Sequence, residues 1–512
     1  MITSTVVSQG RAQAREIVES PEIRAVRISK GMLLTAIGIL LMVMAFTANA
    51  TGKIALSDAF AEVQLPTIEV PGLPVLLLCS LLTLAAGVGF LSGGLSKNPR
   101  TVAGVIAGIS CLTGFMVWAA ASSSIAFTLT SQLNLTLEYS TPLIFGVLAG
   151  VLSERAGVVN IAIEGQFLAA AFAASVMFSI TQSFPAALVA AAIAGILMAA
   201  VLALFTLKYL VDHVIIGVVV NLLATGLTGF IFQQLVARDL STFGNVTATP
   251  SFAIPGLSDI PFIGPILFSQ RPLSFIALIT VPLVWFLIYR TKWGLRVRAV
   301  GEHPNAADTV GIKVIATKTQ AVLLGGVFAG LGGAYFTVGF GGAFQDNNIT
   351  AGNGFIALAA VIMGRWHPVL GACTALFFGF TRAFAQSTKL MQLPIPSHFI
   401  EMLPYIATIV AVAGLIGRGR APAPESGAWP RRSSWGSRPG HHGSTADGRS
   451  PPPQARQHPC DCRHSGAGVQ RIFKRNPRCH SHPALYENVL RPTHLGSRRT
   501  EIPVAFRRRS TR

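Results

Sequence analysis

Four polar side chains, Glu154, Arg155, Asn160 and Glu164, interrupt an otherwise apolar stretch, TPLIFGVLAGVLSERAGVVNIAIEGQFLAAAF at 141–172. Their chemistry is hydrogen bonding and charge placed among hydrocarbon. An ionised group at the centre of a bilayer costs on the order of 2.5–3.5 kcal/mol on insertion scales, so each needs a partner, a cavity or an interfacial position. Glu154 and Arg155 are read as interfacial, and Asn160 as the cap of a helix running from Ile161. Glu164 falls within the first turns of that helix. It either faces a polar pathway or helix contact, or complements the positive helix N-terminus. Asn221 sits in another apolar run and serves the same pathway or acts as interhelical glue. Asp212 and His213 mark a span entrance. Asn160, Glu164 and Asn221 are therefore the candidate pathway residues, with Phe145, Phe167 and Phe230 available as aromatic walls.

The elements that position them are set by composition. The 512 residues are 51% hydrophobic and 12% charged, with mean hydropathy +0.56, a balance that no water-soluble fold could hide. Crossing the ~30 Å hydrocarbon core takes about 20 apolar residues. Such runs lie near 32–50, 73–94, 101–127, 161–180, 185–207, 214–236, 273–289, 319–340, 368–387 and 399–417. Two shorter ones, 140–152 and 354–364, are too brief to cross alone and read as half-helices or re-entrant segments, tolerated where protein covers their backbone. The fold class is all-α, a polytopic transmembrane helical bundle of about 10 spans plus short broken or re-entrant helices. It divides into a 1–30 N-terminal segment, a 31–418 membrane domain and a 419–512 tail. Lys and Arg concentrate before the first span, after the second, at Lys208 and in the 290–318 loop, which places those segments and the N-terminus in the cytoplasm.

Cys79, Cys111 and Cys373 lie inside apolar runs, where small core residues are expected. Cys460, Cys462 and Cys479, with His464, His480 and His482 nearby, match no standard ligand spacing, so no metal and no cofactor is expected. From Ala421 the chain carries 17 Lys or Arg against 5 Asp or Glu, +12 of the +19 total. This Pro-, Arg- and Ser-rich tail lacks apolar periodicity and reads as disordered. With no aromatic interleaving or folded module it does not read as a nucleic-acid binder. It is read as out-of-frame translation of a GC-rich gene end in preference to a genuine extension.

The 290–318 loop, RTKWGLRVRAVGEHPNAADTVGIKVIATK, separates two spans. In its core Pro304 opens a short helix, Ala306 and Ala307 permit close approach, and Gly311 stops it. A helix outside the membrane needs something to rest on, so Gly301, Glu302, Asn305, Ala306, Ala307, Asp308 and Gly311 are the candidate docking residues. In GGVFAGLGGAYFTVGFGG at 325–342, Gly326 and Gly330 read as a close-packing pair.

Three segments in order, SERAGVVNIAIEG (153–165), AVGEHPNAADTVGIKV (299–314) and FIALAAVIMGRWHPVLGA (355–372), resemble the permease subunits of ABC importers in the branched-chain amino acid and simple-sugar family. The likeness is to the nucleoside and simple-sugar branch and covers about 140–417. It implies a transport subunit without catalysis of its own, working with a cytoplasmic ABC ATPase, a second permease subunit and an extracytoplasmic substrate-binding lipoprotein. The 290–318 loop would be the coupling segment. The chain has no G-x-x-x-x-G-K-[ST] phosphate loop, which agrees with ATP hydrolysis in a partner. A secondary transporter would need ionisable groups deep in broken helices, and beyond Glu164 the spans are read as holding almost none. No H-E-x-x-H or similar constellation supports a membrane enzyme. Stopping the chain after Arg420 should leave membrane insertion and uptake intact; a truncated protein present at normal levels but inactive would contradict this.

Overall fold

Apolar runs of this length become helices because hydrocarbon offers no partner for backbone N–H and C=O groups, and only a helix satisfies them within the segment. The computed structural model describes residues 21–48, 51–57, 64–93, 97–123, 125–391, 402 and 405. The expected 399–417 span, the 419–512 tail with its Cys and His residues, and most of the 1–30 segment lie outside the described residues. The chain partitions into Met1–Arg432 and Ser433–Arg512; all that follows concerns the first unit.

Among the described residues ten helices are long and apolar enough to cross a membrane. In chain order the helices are α1 (Pro21–Ala45), α2 (Gly72–Ser92), α3 (Lys97–Ala121), α4 (Leu129–Arg155), α5 (Ile163–Thr181), α6 (Phe184–Ala203) and α7 (His213–Ile231). The short α8 (Leu240–Phe243) precedes α9 (Pro272–Arg290), α10 (Lys292–Glu302), α11 (Pro304–Thr309), α12 (Val314–Ala334), α13 (Asn353–Met363) and α14 (Pro368–Leu390). Single π-helical turns, Leu204–Lys208, Phe232–Val236 and Tyr335–Gly339, extend α6, α7 and α12. All expected spans that fall within the described residues recur, and the short 354–364 run is α13.

One expectation is corrected. The 140–152 run is the second half of α4, a full 27-residue span. Its first half does not stand out by hydropathy because Gln132, Asn134, Thr136, Glu138, Ser140 and Thr141 lower it. Those groups face protein, and 89% of the apolar window of α4 is buried, against 22% for α1 and α7. The hydroxyls of Thr136 and Thr141 donate back to the carbonyls of Gln132 and Leu137 at 2.6 and 2.9 Å, which hides their polarity within the helix. Hydropathy detects lipid-facing helices best, and α4 is the central one.

Around α4 pack α9, α12, α13 and α14, while α5 packs on α6, α7 and α12. Helices α1 to α3 form a side layer joined through Ala45, Leu76, Trp118, Phe127, Phe384 and Met391. At one end of the bundle strand β1 (Thr51–Ala55) pairs antiparallel with β2 (Ile68–Pro71) and parallel with β3 (Phe127–Thr128), and β4 (Phe252–Ala253) pairs with β5 (Ser269–Gln270).

The glycine pair of α12 does pack closely. A Cβ on Gly195 of α6 would overlap the carbonyl oxygen of Gly326, and one on Gly330 would overlap that of Ala191. With no side chain between them, the backbones of α6 and α12 meet directly. Overpacking a filled contact costs ~1–3 kcal/mol, so Gly195→Val should lower the yield and thermal midpoint of the detergent-solubilised protein. Gly108→Ala, where a Cβ meets nothing within 4 Å, should leave both unchanged. Equal behaviour of the two variants would refute the packing argument.

Candidate substrate pathway and coupling surface

The predicted pathway residues gather where the chain breaks between α4 and α5. Helix α5 starts at Ile163, two residues later than expected, and its cap position, Ala162, makes no side-chain bond. Asn160 is therefore not the cap. It is fully buried and pairs with Gln166, its Nδ2 donating to Oε1 at 3.3 Å. Asn221 reaches across from α7: its Oδ1 accepts from the Gly165 N–H at 2.8 Å and its Nδ2 donates to the Ile161 carbonyl at 3.0 Å. The interhelical-glue reading of Asn221 matches this geometry, with both backbone groups left over by the break.

Glu164 makes a helix contact, from α5 to the head of α13. Its Oε1 accepts from the Thr350 hydroxyl at 2.6 Å and the Gly352 N–H at 2.9 Å, and its Oε2 accepts from the Gly354 N–H at 2.6 Å. The carboxylate thus complements a helix N-terminus, that of α13 and not its own. Satisfying orphan N–H groups with an anion is the arrangement a helix dipole favours.

The far end of α13 is held the same way. Residues Arg365 and Trp366, in the turn to α14, both have positive φ, 54° each, a conformation that costs of order 1–3 kcal/mol per non-glycine residue. Glu154 accepts the Trp366 indole N–H, and Arg155 donates to the Trp366 carbonyl at 2.9 Å and to the Tyr289 hydroxyl at 3.2 Å. Glu154 and Arg155 are the last two residues of α4, at the end of a span, and Glu154 is covered there by protein, 6% exposed. Its role is packing the end of α4 against the strained turn. Burial and the nearby Arg155 charge hold the His367 imidazole below its usual range, and its ring stacks on Tyr289 at 5.2 Å.

Beyond the head of α13 lies a cavity of about 220 Å³, walled by Tyr139, Pro142, Tyr335, Phe336 and Phe340 with Asn353 and Arg382. The rings of Tyr335 and Phe340 are almost parallel, 4° apart in tilt with centroids at 5.8 Å, and Tyr139 sits 5.8 Å from Phe340. Arg271 fixes this corner: it pairs with Glu138 at 2.9 Å, donates to the Thr249 and Gly339 carbonyls at 2.9 Å each, and lies 4.8 Å over the Phe340 ring. None of Asn160, Glu164 and Asn221 lines this cavity. Of the aromatic walls suggested by sequence, Phe145 and Phe167 are fully buried core residues and Phe230 is 64% exposed.

The spans hold more ionisable groups than expected. Glu138 and Arg271 were hidden by the missed half of α4 and by a span boundary. Arg382 stood in plain view within the 368–387 run, and a lone arginine in an apolar span is itself a signal. The run YFTVGF at 335–340 offered an aromatic cluster between glycines as a second one.

The 290–318 loop folds as two helices, and the short helix expected between Pro304 and Gly311 is the second of them. Helix α10 ends at Glu302, Pro304 opens α11, and Gly311 follows at φ 82°. Gly301 has no room for a side chain, because a Cβ there would overlap the Arg155 carbonyl oxygen. This contact joins the hairpin to the end of α4. Glu302, Asn305, Ala306 and Gly311 are exposed and Asp308 half-buried, with Val310 75% exposed beside them. Ala307 is the exception: it is 4% exposed and packs with Val300 and Val314. It belongs to the hairpin's own small core.

Residues 132–412 match the family described as branched-chain amino acid transport system / permease component. The chain belongs to that family: it is an ABC transporter permease, a multi-pass membrane protein. It is 38% identical over 301 residues to the nucleoside ABC transporter permease protein NupC of Lactococcus lactis, covering 56% of this chain and 92% of that protein. It is 40% identical over 299 residues to the guanosine ABC transporter permease protein NupQ of Bacillus subtilis, again 56% and 92%. A glucose ABC transporter permease protein, TsgB13 of Haloferax volcanii, is 26% identical over 292 residues, 54% of this chain and 75% of that one. No solved structure matches.

The burial contrast between neighbouring alanines gives a direct test. Ala307→Trp should sharply reduce the folded yield, because the hairpin core cannot take the added volume. Ala306→Trp should elute as a monodisperse protein with wild-type melting. Similar losses in both would mean that Ala306 is also buried.

Proposed function

We propose that the chain is the permease subunit of a binding-protein-dependent ABC importer for nucleosides. It works in the bacterial plasma membrane with its N-terminus in the cytoplasm, and moves substrate inward by alternating access. ATP is hydrolysed by a separate cytoplasmic ABC ATPase. A second permease subunit, identical or related, completes the pathway, and an extracytoplasmic lipoprotein delivers the solute.

The observation that carries this reading is the α10–α11 hairpin. It lies outside the spans, exposes Asn305, Ala306 and Val310, and meets the end of α4 through Gly301 with no side chain between. A push on that surface reaches α4 directly, and with it the Glu154 and Arg155 contacts to the α13–α14 turn. Arg100, Lys208 and the 290–318 cations fall at ends of spans that share one side when the helices are followed in order, which supports a cytoplasmic hairpin. In this reading Asn160, Glu164 and Asn221 form the framework of the pathway, holding the heads of α5 and α13.

A nucleoside substrate is favoured by the relatives at 38% and 40% identity, whose printed substrates are nucleosides and guanosine. A simple sugar of the ribose or galactose type is the second reading, supported by the glucose permease relative.

Reconstitution with the ATPase and binding protein tests both. Adenosine, guanosine and uridine should compete for uptake, and ribose and galactose should not. Displacement by the sugars alone would overturn the nucleoside reading and leave the permease one standing. Cysteines at Asn305 or Asp308 should crosslink to the ATPase; reaction only with external, impermeant reagents would invert the topology and refute the coupling role.

A further inference from the structure

The cavity between α4, α12, α13 and α14 has the chemistry of a binding site for one class of ring. Resting on the nucleoside reading above, we infer that it receives the base of a 6-oxopurine nucleoside, such as guanosine or inosine, during passage, with Arg382 reading the oxo edge.

The first observation is depth. Arg382 is eight residues from the end of α14 and Tyr139 ten from the start of α4, roughly 12 and 15 Å inward at 1.5 Å per residue. On α4 and α14 the cavity therefore lies two to three turns in from the helix ends, while its Phe340 wall lies beneath Arg271 at the head of α9. An intramembrane cation there needs a function or a partner. Arg382 donates to the Asn353 side-chain oxygen and has no carboxylate within ion-pair distance among the described residues. A guanidinium carries five N–H donors and no acceptor, so it can donate to acceptors brought by a solute.

The second observation is an orphan. Tyr335 is 2% exposed, and its hydroxyl is buried with no hydrogen-bond partner among the described residues. Leaving such a group unmade is costly, and native structures rarely do so without cause. A polar atom of a bound solute would complete it.

The third is the wall. Tyr139, Tyr335, Phe336 and Phe340 give an apolar, π-rich surface, and planar heterocycles stack on such rings regardless of their substituents. At about 220 Å³ the space is below the ~300–1,000 Å³ of sites for drug-sized ligands, and suits one ring system.

The selectivity follows from donor and acceptor order. A 6-oxopurine presents O6 and N7 side by side as acceptors, the edge that arginine forks grip in nucleic-acid recognition. Adenine places an amino donor next to N7, so one arginine N–H would face another donor. Ribose and galactose offer hydroxyls but no aromatic face for the wall.

The test is equilibrium binding of radiolabelled guanosine, inosine and adenosine to the purified permease complex with its ATPase, without the binding protein, alongside uptake in proteoliposomes. Wild type should bind guanosine and inosine at least about tenfold more tightly than adenosine, in line with one bidentate contact. Arg382→Gln should erase most of that ratio, and Arg382→Lys should not restore it, since an ammonium lacks the fork. Tyr335→Phe, which keeps the ring, should weaken binding of all three. Copurification of the ATPase certifies assembly, and if Arg382→Gln fails it, Arg382→Lys and Tyr335→Phe decide the matter. Unchanged affinities in assembled variants, or equal wild-type affinity for adenosine, overturn the assignment. Uptake of nucleosides with no effect of these variants would refute the cavity and keep the permease reading; uptake of sugars alone would refute the reading on which it rests.

Discussion

The centre of this bundle depends on how the backbone groups at the heads of α5 and of the short helix α13 are satisfied where protein excludes water. A buried helix end leaves N–H and C=O groups without intrahelical partners, and each one left unmade costs ~1–3 kcal/mol. The chain meets that demand with side chains borrowed from other helices. Asn221 of α7 takes one donor and one acceptor from the entrance of α5, and Glu164 takes the N–H groups at the head of α13. Three helices distant in sequence are tied at one level, and no alternative register of α5, α7 or α13 would present the same partners.

The short helix α13 is consequently a strut pinned at both ends. Its head carries left-handed Ala351 and Gly352 and is gripped by Glu164; its foot carries left-handed Arg365 and Trp366 and is gripped by Glu154 and Arg155. Strained turns of this kind persist only where surrounding contacts over-determine them. Both grips come from residues flanking the α4 to α5 break, so a displacement of that break acts on both ends of α13 together. The wall of the aromatic cavity includes Asn353, the first residue of α13, and the hairpin contact at Gly301 bears on the same break from the other side. Packed, strained elements have discrete arrangements and do not deform smoothly, so under the proposed alternating access this strut is where two arrangements would differ.

How much of this could be read in the sequence depended on which surface a residue faces. Helices that meet lipid, such as α1, α2, α6 and α7, announced themselves by hydropathy, and the resemblance in three ordered motifs identified the family. The central helix was half lost, because Thr136, Ser140 and Glu138 are satisfied by protein and hydropathy counts them as if they were not. Asn160, Glu164 and Asn221 stand out in the sequence as polar residues among apolar neighbours, but their partners lie 6 to 190 residues away, and no local pattern encodes such distances. The same limit explains Ala307: adjacent to exposed Ala306 and identical in type, it is distinguished only by which side of a six-residue helix meets Val300 and Val314.

The separation between framework and cavity has a consequence for specificity. Residues that hold the broken helices contact backbone, which is the same for any solute, so their chemistry is indifferent to what is carried. Residues that line the cavity, above all Tyr335 and Arg382, touch no such framework beyond the Asn353 link. A change of substrate can then be made at the cavity without loosening the pinned strut, provided Asn353 keeps its place. The side chains that hold the α4 to α5 connection and those that line the cavity are thus largely different sets, meeting at the head of α13 in Ala351 and Asn353.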